Sequence, residues 1–192
     1  MAYITVADLR LYLRANAQTP LPSGDDDLLA VAITDAMAFI ADHTGRVFEA
    51  TADTTRLFTL DDVLGAKLTF DTDLATTPTE VLNGDGGSIP ANAYRLEPLN
   101  HRPAYALLLK ASHGYAWAGE EIQVTGRWAY SVEAPAGIQR ICKRLAVYFY
   151  RQRGTNTDLD RPIMTADGTI LTPARIPMDA ADELRIFRRR TL

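Results

Sequence analysis

One cysteine, Cys142, and three histidines are all that 192 residues contain of those two types. A lone cysteine excludes an internal disulfide and fits a reducing compartment. Its place among Ile138, Ile141 and Leu145 makes it a small buried hydrophobe rather than a reactive thiol. His43, His101 and His113 have no HxxxH spacing and no neighbouring cysteine pair, so no metal site is expected. No apolar run reaches membrane-spanning length, since LLAVAIT is closed by Asp27 and Asp35. The opening MAYITVADLR lacks a basic segment followed by an apolar core, so the expectation is a soluble cytosolic protein without a secretory signal. There is no nucleophile elbow and no Cys/His pair. NGDGGS at 83–88 is followed by neither a lysine nor a helix start, which removes it as a phosphate loop. Asp61-Asp62 and Glu120-Glu121 fall in predicted turns, where solvated carboxylates are the ordinary case. Neither catalysis nor a cofactor is expected, and no catalytic, cofactor-binding or metal residue is assigned.

What is present is globular. Apolar residues are 47% and charged residues 23%, enough for one well-filled domain with an appendage. The net charge of −4 is unevenly spread. Residues 1–138 carry 9 Lys+Arg against 18 Asp+Glu, whereas 139–192 carry 11 against 6. An acidic body with a basic end suits a nucleic-acid tail or a docking end for an acidic partner. Arginine outnumbers lysine 17 to 3.

The spacing predicts helices over 5–16, 26–44 and 135–153, a β insert over 54–131, and an extended arm with a terminal helix over 154–192. Thr5 caps the first helix and Asp8 loads its first turn, with Val6, Leu9 and Leu13 on one face. Ser23 and Asp25 to Asp27 open the second, whose stripe is Leu29, Ile33, Ala36 or Met37, and Ile40, and Gly45 stops it. Six β-rich stretches between Thr54 and Ser131 suggest a small, mainly antiparallel sheet, and the fold class is α+β.

In EIQVTGRWAYS (121–131) the even positions Ile122, Val124, Gly126, Trp128 and Tyr130 form an inward face, and Pro135 then starts a helix. Trp128, Tyr130, Ile138, Ile141, Leu145 and Phe149 are the expected core, with Trp128 and Tyr130 packed against that helix. Residues 155–177 contain three prolines and no helical stripe. The pattern 178–190 is helical again but thinly apolar, so it needs a surface to dock on.

Helix YITVADLRLYL, helix DDDLLAVAITDAMAFIADHTGRVF with its TGR exit, and then VTGRWAYSVEAPAGIQRICKRLAVYFYRQRG after a β insert resemble the head–tail connector (adaptor) proteins of tailed bacteriophages, over residues 3–153. The resemblance implies a small helical bundle with a β insertion in the virion, built in the host cytoplasm. It implies a homo-oligomeric ring, typically twelve-fold, beneath the portal protein. The ring extends the DNA channel without specific DNA binding and offers a platform for a stopper or tail-completion protein. No membrane is involved. In that family the C-terminal part tends to reach the portal. Leu184, Ile186 and Phe187 are accordingly expected as apolar anchors, and Arg188, Arg189 and Arg190 as partners for acidic groups. The alternative is a DNA-binding accessory protein of packaging that uses the basic C-terminal region on phosphates.

Overall fold

A computed structural model of the chain describes residues 2–16, 24–154, 163–164, 170–171 and 177–189. The fold is α+β. It divides into two compact units, one of residues 1–45 with 136–192 and one of residues 46–135. The Ser23 cap, most of the 155–177 arm and Arg190 lie outside the described residues.

The helical unit contains α1 (Val6–Asn16), α2 (Asp26–Thr44), α3 (Ala136–Gly154) and α4 (Met178–Arg185). Two short strands, β8 (Ile163–Met164) and β9 (Ile170–Leu171), pair antiparallel. A capping box starts α1. The Thr5 hydroxyl accepts the Asp8 amide at 3.1 Å, and the Asp8 carboxylate accepts the Thr5 amide at 2.9 Å and its hydroxyl at 2.7 Å. These bonds hold the Asp8 carboxyl below its ordinary range. Gly45, at φ +66°, ends α2 in the left-handed conformation, its amide donating to Ala41.

Buried Leu29, Ala32, Ile33, Ala36 and Ile40 on α2, and Ile138, Ile141, Cys142, Leu145 and Ala146 on α3, recur at helical spacing. They make this helix pair the core of the unit. The alanines let the backbones approach. The Tyr150 hydroxyl, near the end of α3, donates to the Asp25 carboxylate at the head of α2, so the two helices run antiparallel. Phe149 is half-buried, edge-on to Phe39 at 6.4 Å.

The β unit holds β1 (Thr54–Phe58), β2 (Val63–Leu64), β3 (Lys67–Leu74), β4 (Glu80–Leu82), β5 (Tyr94–Glu97), β6 (Ala104–Leu109) and β7 (Ile122–Gly126). The single expected sheet is two: one in the order β1-β7-β4, the other β2-β3-β6-β5, with every pair antiparallel. Their inward residues share one core, including Phe58, Phe70, Leu74, Val81, Leu107, Ile122, Val124 and Trp128. Short strands with turns every few residues divide into two facing layers because neither layer alone covers an apolar face.

The strand expected over 121–131 stops at Gly126. There a Cβ would meet the Leu74 Cδ1 at 3.0 Å, so glycine leaves room for that leucine. Beyond it the ladder bonds are redirected: the Arg127 carbonyl accepts the Ala75 amide at 2.8 Å, and the Tyr130 amide donates to Val47 at 2.8 Å. Trp128 is buried, with ring neighbours from the β unit. Its ring lies edge-on to Phe70 at 5.0 Å and tilted to Phe58 at 5.6 Å, and its indole N–H donates to the Thr54 carbonyl at 2.9 Å. Tyr130 is half-buried, packs on Phe48 at 5.4 Å, and carries the Arg46 guanidinium over its face at 5.4 Å.

NGDGGS serves the β unit as a brace. Buried Asn83 donates from Nδ2 to the Ala116 carbonyl and accepts the Ala118 amide at Oδ1, each at 3.0 Å. Gly84 and Gly119 then touch backbone to backbone: a Cβ at Gly119 would stand 2.0 Å from the Gly84 carbonyl carbon, and its φ is +83°. Thermal melts of Trp128→Ala and Leu145→Ala are expected to show losses of about 3–5 and 2–5 kcal/mol respectively; midpoints within a degree or two of the parent would refute them. Asn83→Ala is expected to cost about 1–3 kcal/mol through unsatisfied buried groups, and Gly119→Ala at least as much, both measured by urea unfolding.

Candidate assembly surfaces

The three histidines are divided between the two units. His43 is half-buried and stacks on Phe39 at 5.7 Å, while in the β unit His101 is exposed in a bend and His113 at the end of a 3-10 helix over Ala111–His113. Among the described residues no group of three or more His, Cys, Asp or Glu is placed to hold a metal ion. Cys142 is buried, and burial pushes its thiol up to about 12, with Lys143 opposing. Of the tyrosines and tryptophans, Tyr148 and Tyr150 are in the helical unit, whereas Tyr105, Tyr115, Tyr130, Trp117 and Trp128 belong to the β unit. Trp117 donates its indole N–H to the Ala66 carbonyl at 3.0 Å.

The C-terminal segment is organised by its own unit. Ala180 and Leu184 on α4 are fully buried. Arg140 on α3 pairs with Glu183 at 2.9 Å, and Arg144 with Asp179 and, at 4.0 Å, with Glu183. These pairs are half-exposed and contribute little each, on the order of 0–1 kcal/mol; the buried apolar stripe sets the position. The Phe187 ring lies 3.6 Å from where a Cβ on Gly137 would be, an ordinary packing distance that places the ring against the start of α3. The Arg189 amide donates to the Thr44 carbonyl at 2.9 Å, satisfying one orphan acceptor at the end of α2.

The expected portal anchors therefore separate. Leu184 faces its own helical unit and is not available to a partner, because α4 is too short to hold without it. Ile186 is 83% exposed, Arg188 is exposed, and Phe187 and Arg189 are half-buried.

A second surface was not singled out by sequence. Leu57, Leu60 and Leu64 are 57%, 47% and 81% exposed around the turn that joins β1 to β2. A period-two reading contains the signal, since Phe58 inward forces its neighbour Leu57 outward. Asp61 and Asp62 lie in the same turn, where the Asp62 carboxylate accepts the Thr59 amide at 3.0 Å. Both β1 and β2 are edge strands.

No protein-family model matches the chain, and no curated protein matches it. Solved structures do resemble it across nearly its whole length. A chain of the virion of a native gene transfer agent particle superposes with a TM-score of 0.64 at 18% identity, covering 99% of this chain and 92% of that one. A chain from the neck of the native particle, computed with C12 symmetry, gives 0.59 at 17% identity, covering 97% and 90%. One from the neck of the empty particle, computed with C6 symmetry, gives 0.59 at 15% identity, covering 99% and 92%. At such identities the likeness establishes the fold alone.

A pH dependence follows from Cys142. An unfolded thiol ionises near its ordinary 9.0, whereas the native one is held to about 12. Above pH 9 the unfolded state thus binds fewer protons, and stability falls by up to about 1.4 kcal/mol per pH unit. Urea unfolding at pH 8 and pH 10 is expected to show a larger loss for the parent chain than for Cys142→Ala; equal losses would disprove it.

Proposed function

We propose that this chain is a structural virion protein of the head–tail neck, an adaptor that forms a cyclic ring beneath the portal. The ring extends the DNA channel and provides the platform for a stopper or tail-completion protein. The observation that carries this reading is the fold likeness over 99% of this chain and 92% of a gene transfer agent virion chain, because both units and their order are matched rather than one common motif. The C12 symmetry of one neck it resembles supports a twelve-fold ring. The sequence resemblance of residues 3–153 to phage connectors points the same way. The acidic bias of 1–138 suits a channel that repels DNA phosphates. The DNA-binding alternative is disfavoured by the pairing of Arg140 and Arg144 with carboxylates of α4.

The test is electron microscopy of the purified protein mixed with its portal, or with DNA-filled heads lacking a neck. A ring of cyclic symmetry seated on the portal is expected. Failure to bind portal or heads would overturn the proposal. Tight duplex-DNA binding by the free protein that weakens steeply with salt would favour the alternative.

A further inference from the structure

The two most exposed large apolar side chains among the described residues are Ile186, at 83%, and Leu64, at 81%. Each sits in a charged setting, and the signs are opposite. Ile186 lies between Arg185 and Arg188, both exposed; the Arg185 pair with Asp182, at 3.3 Å, is solvent-facing and weak. Leu64, with Leu57 and Leu60, lies beside Asp61 and Asp62 on a β unit whose 7 Lys+Arg face 12 Asp+Glu, a balance of −5. Asp62 is occupied in capping its turn, and Asp61 takes no part in that cap.

We propose that Ile186 and Arg188 of one copy dock on Leu57, Leu60, Leu64 and Asp61 of the next copy, and that this contact closes the ring. The inference rests on the ring reading above and deepens it by naming the surfaces between subunits. A closed ring needs two different patches that meet on neighbouring copies, and this pair is complementary in both respects that matter. Apolar area leaves water on each side, and an arginine meets a carboxylate at the rim. Two edge strands whose outward side chains and connecting turn expose three leucines are an aggregation hazard for a free chain, a cost that is relieved when a neighbour covers them. The basic end thus finds its acidic partner on a second copy of the same chain, and no other protein is required for it. Burial of Leu184 and the Arg189 contact with the end of α2 hold Ile186 in a defined place, which a docking element needs.

Two sets of variants test the contact in the full chain, on heads or at concentrations where the parent forms rings. Leu64→Cys and Ile186→Cys, mixed under mild oxidation, are expected to give a disulfide-linked heterodimer several-fold above Thr77→Cys mixed with Ile186→Cys. Thr77 is an exposed position beyond the far end of β3, and native Cys142 is buried. Asp61→Arg and Arg188→Asp are each expected to lose ring assembly, whereas an equimolar mixture regains it by alternating the two reversed faces. Parent rings with no enrichment of the Leu64–Ile186 heterodimer, or charge reversals that assemble as the parent does, would overturn this contact and leave the ring reading standing. Crosslinking of Ile186→Cys to the portal in place of a second copy would assign the C-terminal end to the portal instead. A parent chain that forms no ring on heads or free would remove both.

Discussion

A short backbone clamp closes the β unit, and the rest of the chain depends on it. The Tyr130 amide donates to Val47 at 2.8 Å, the Ala50 amide to Ser131 at 3.3 Å, and the Ser131 hydroxyl to the Phe48 carbonyl at 3.0 Å. A unit of ninety residues, 46–135, interrupts the helical chain. The helices on either side can pair only if its two ends are brought together. An insertion with adjacent ends costs its host little, whereas splayed ends would pull α2 and α3 apart. Arg46 reinforces the clamp. It pairs with buried Asp73 at 2.7 Å while lying over the Tyr130 ring, so the entry segment, the exit segment and β3 share one charged contact. Such a pair specifies an arrangement more than it adds net stability, since desolvation offsets much of the attraction.

Burial and exposure divide the roles of neighbouring residues more finely than composition does. In α4 the small apolar stripe of Ala180 and Leu184 is spent within the helical unit, and two residues later Ile186 is left to solvent. In the β1–β2 turn Phe58 fills the core while Leu57 beside it faces out. Both cases come from periodicity. A helix turns about 100° per residue and a strand about 180°, so one step along the chain can move an apolar side chain from core to surface. Where a partner covers such a surface, the charges around it set which surface meets which.

Much was legible in the sequence because it is written locally. Capping residues, the αL glycine after α2, the spacing of Leu29, Ile33 and Ile40, and the α+β class depend on neighbours within a turn or two. The inward alternation from Ile122 to Val124 and on to Trp128 was readable for the same reason. Tertiary structure alone decided what those residues face. Period two announces that Trp128 points inward, but not that its ring meets Phe58 and Phe70. It shows six stretches of strand, but neither the two-residue β2 nor the division of all seven strands into two sheets, since pairing between distant strands leaves no spacing in the chain. Leu184 and Ile186 look alike in sequence, and only the docking of α4 on its own unit separates an anchor already used from one still exposed. Local propensity and periodicity are encoded within a few residues. Partner choice depends on which surfaces remain unburied after folding, and no short window of the chain contains that information.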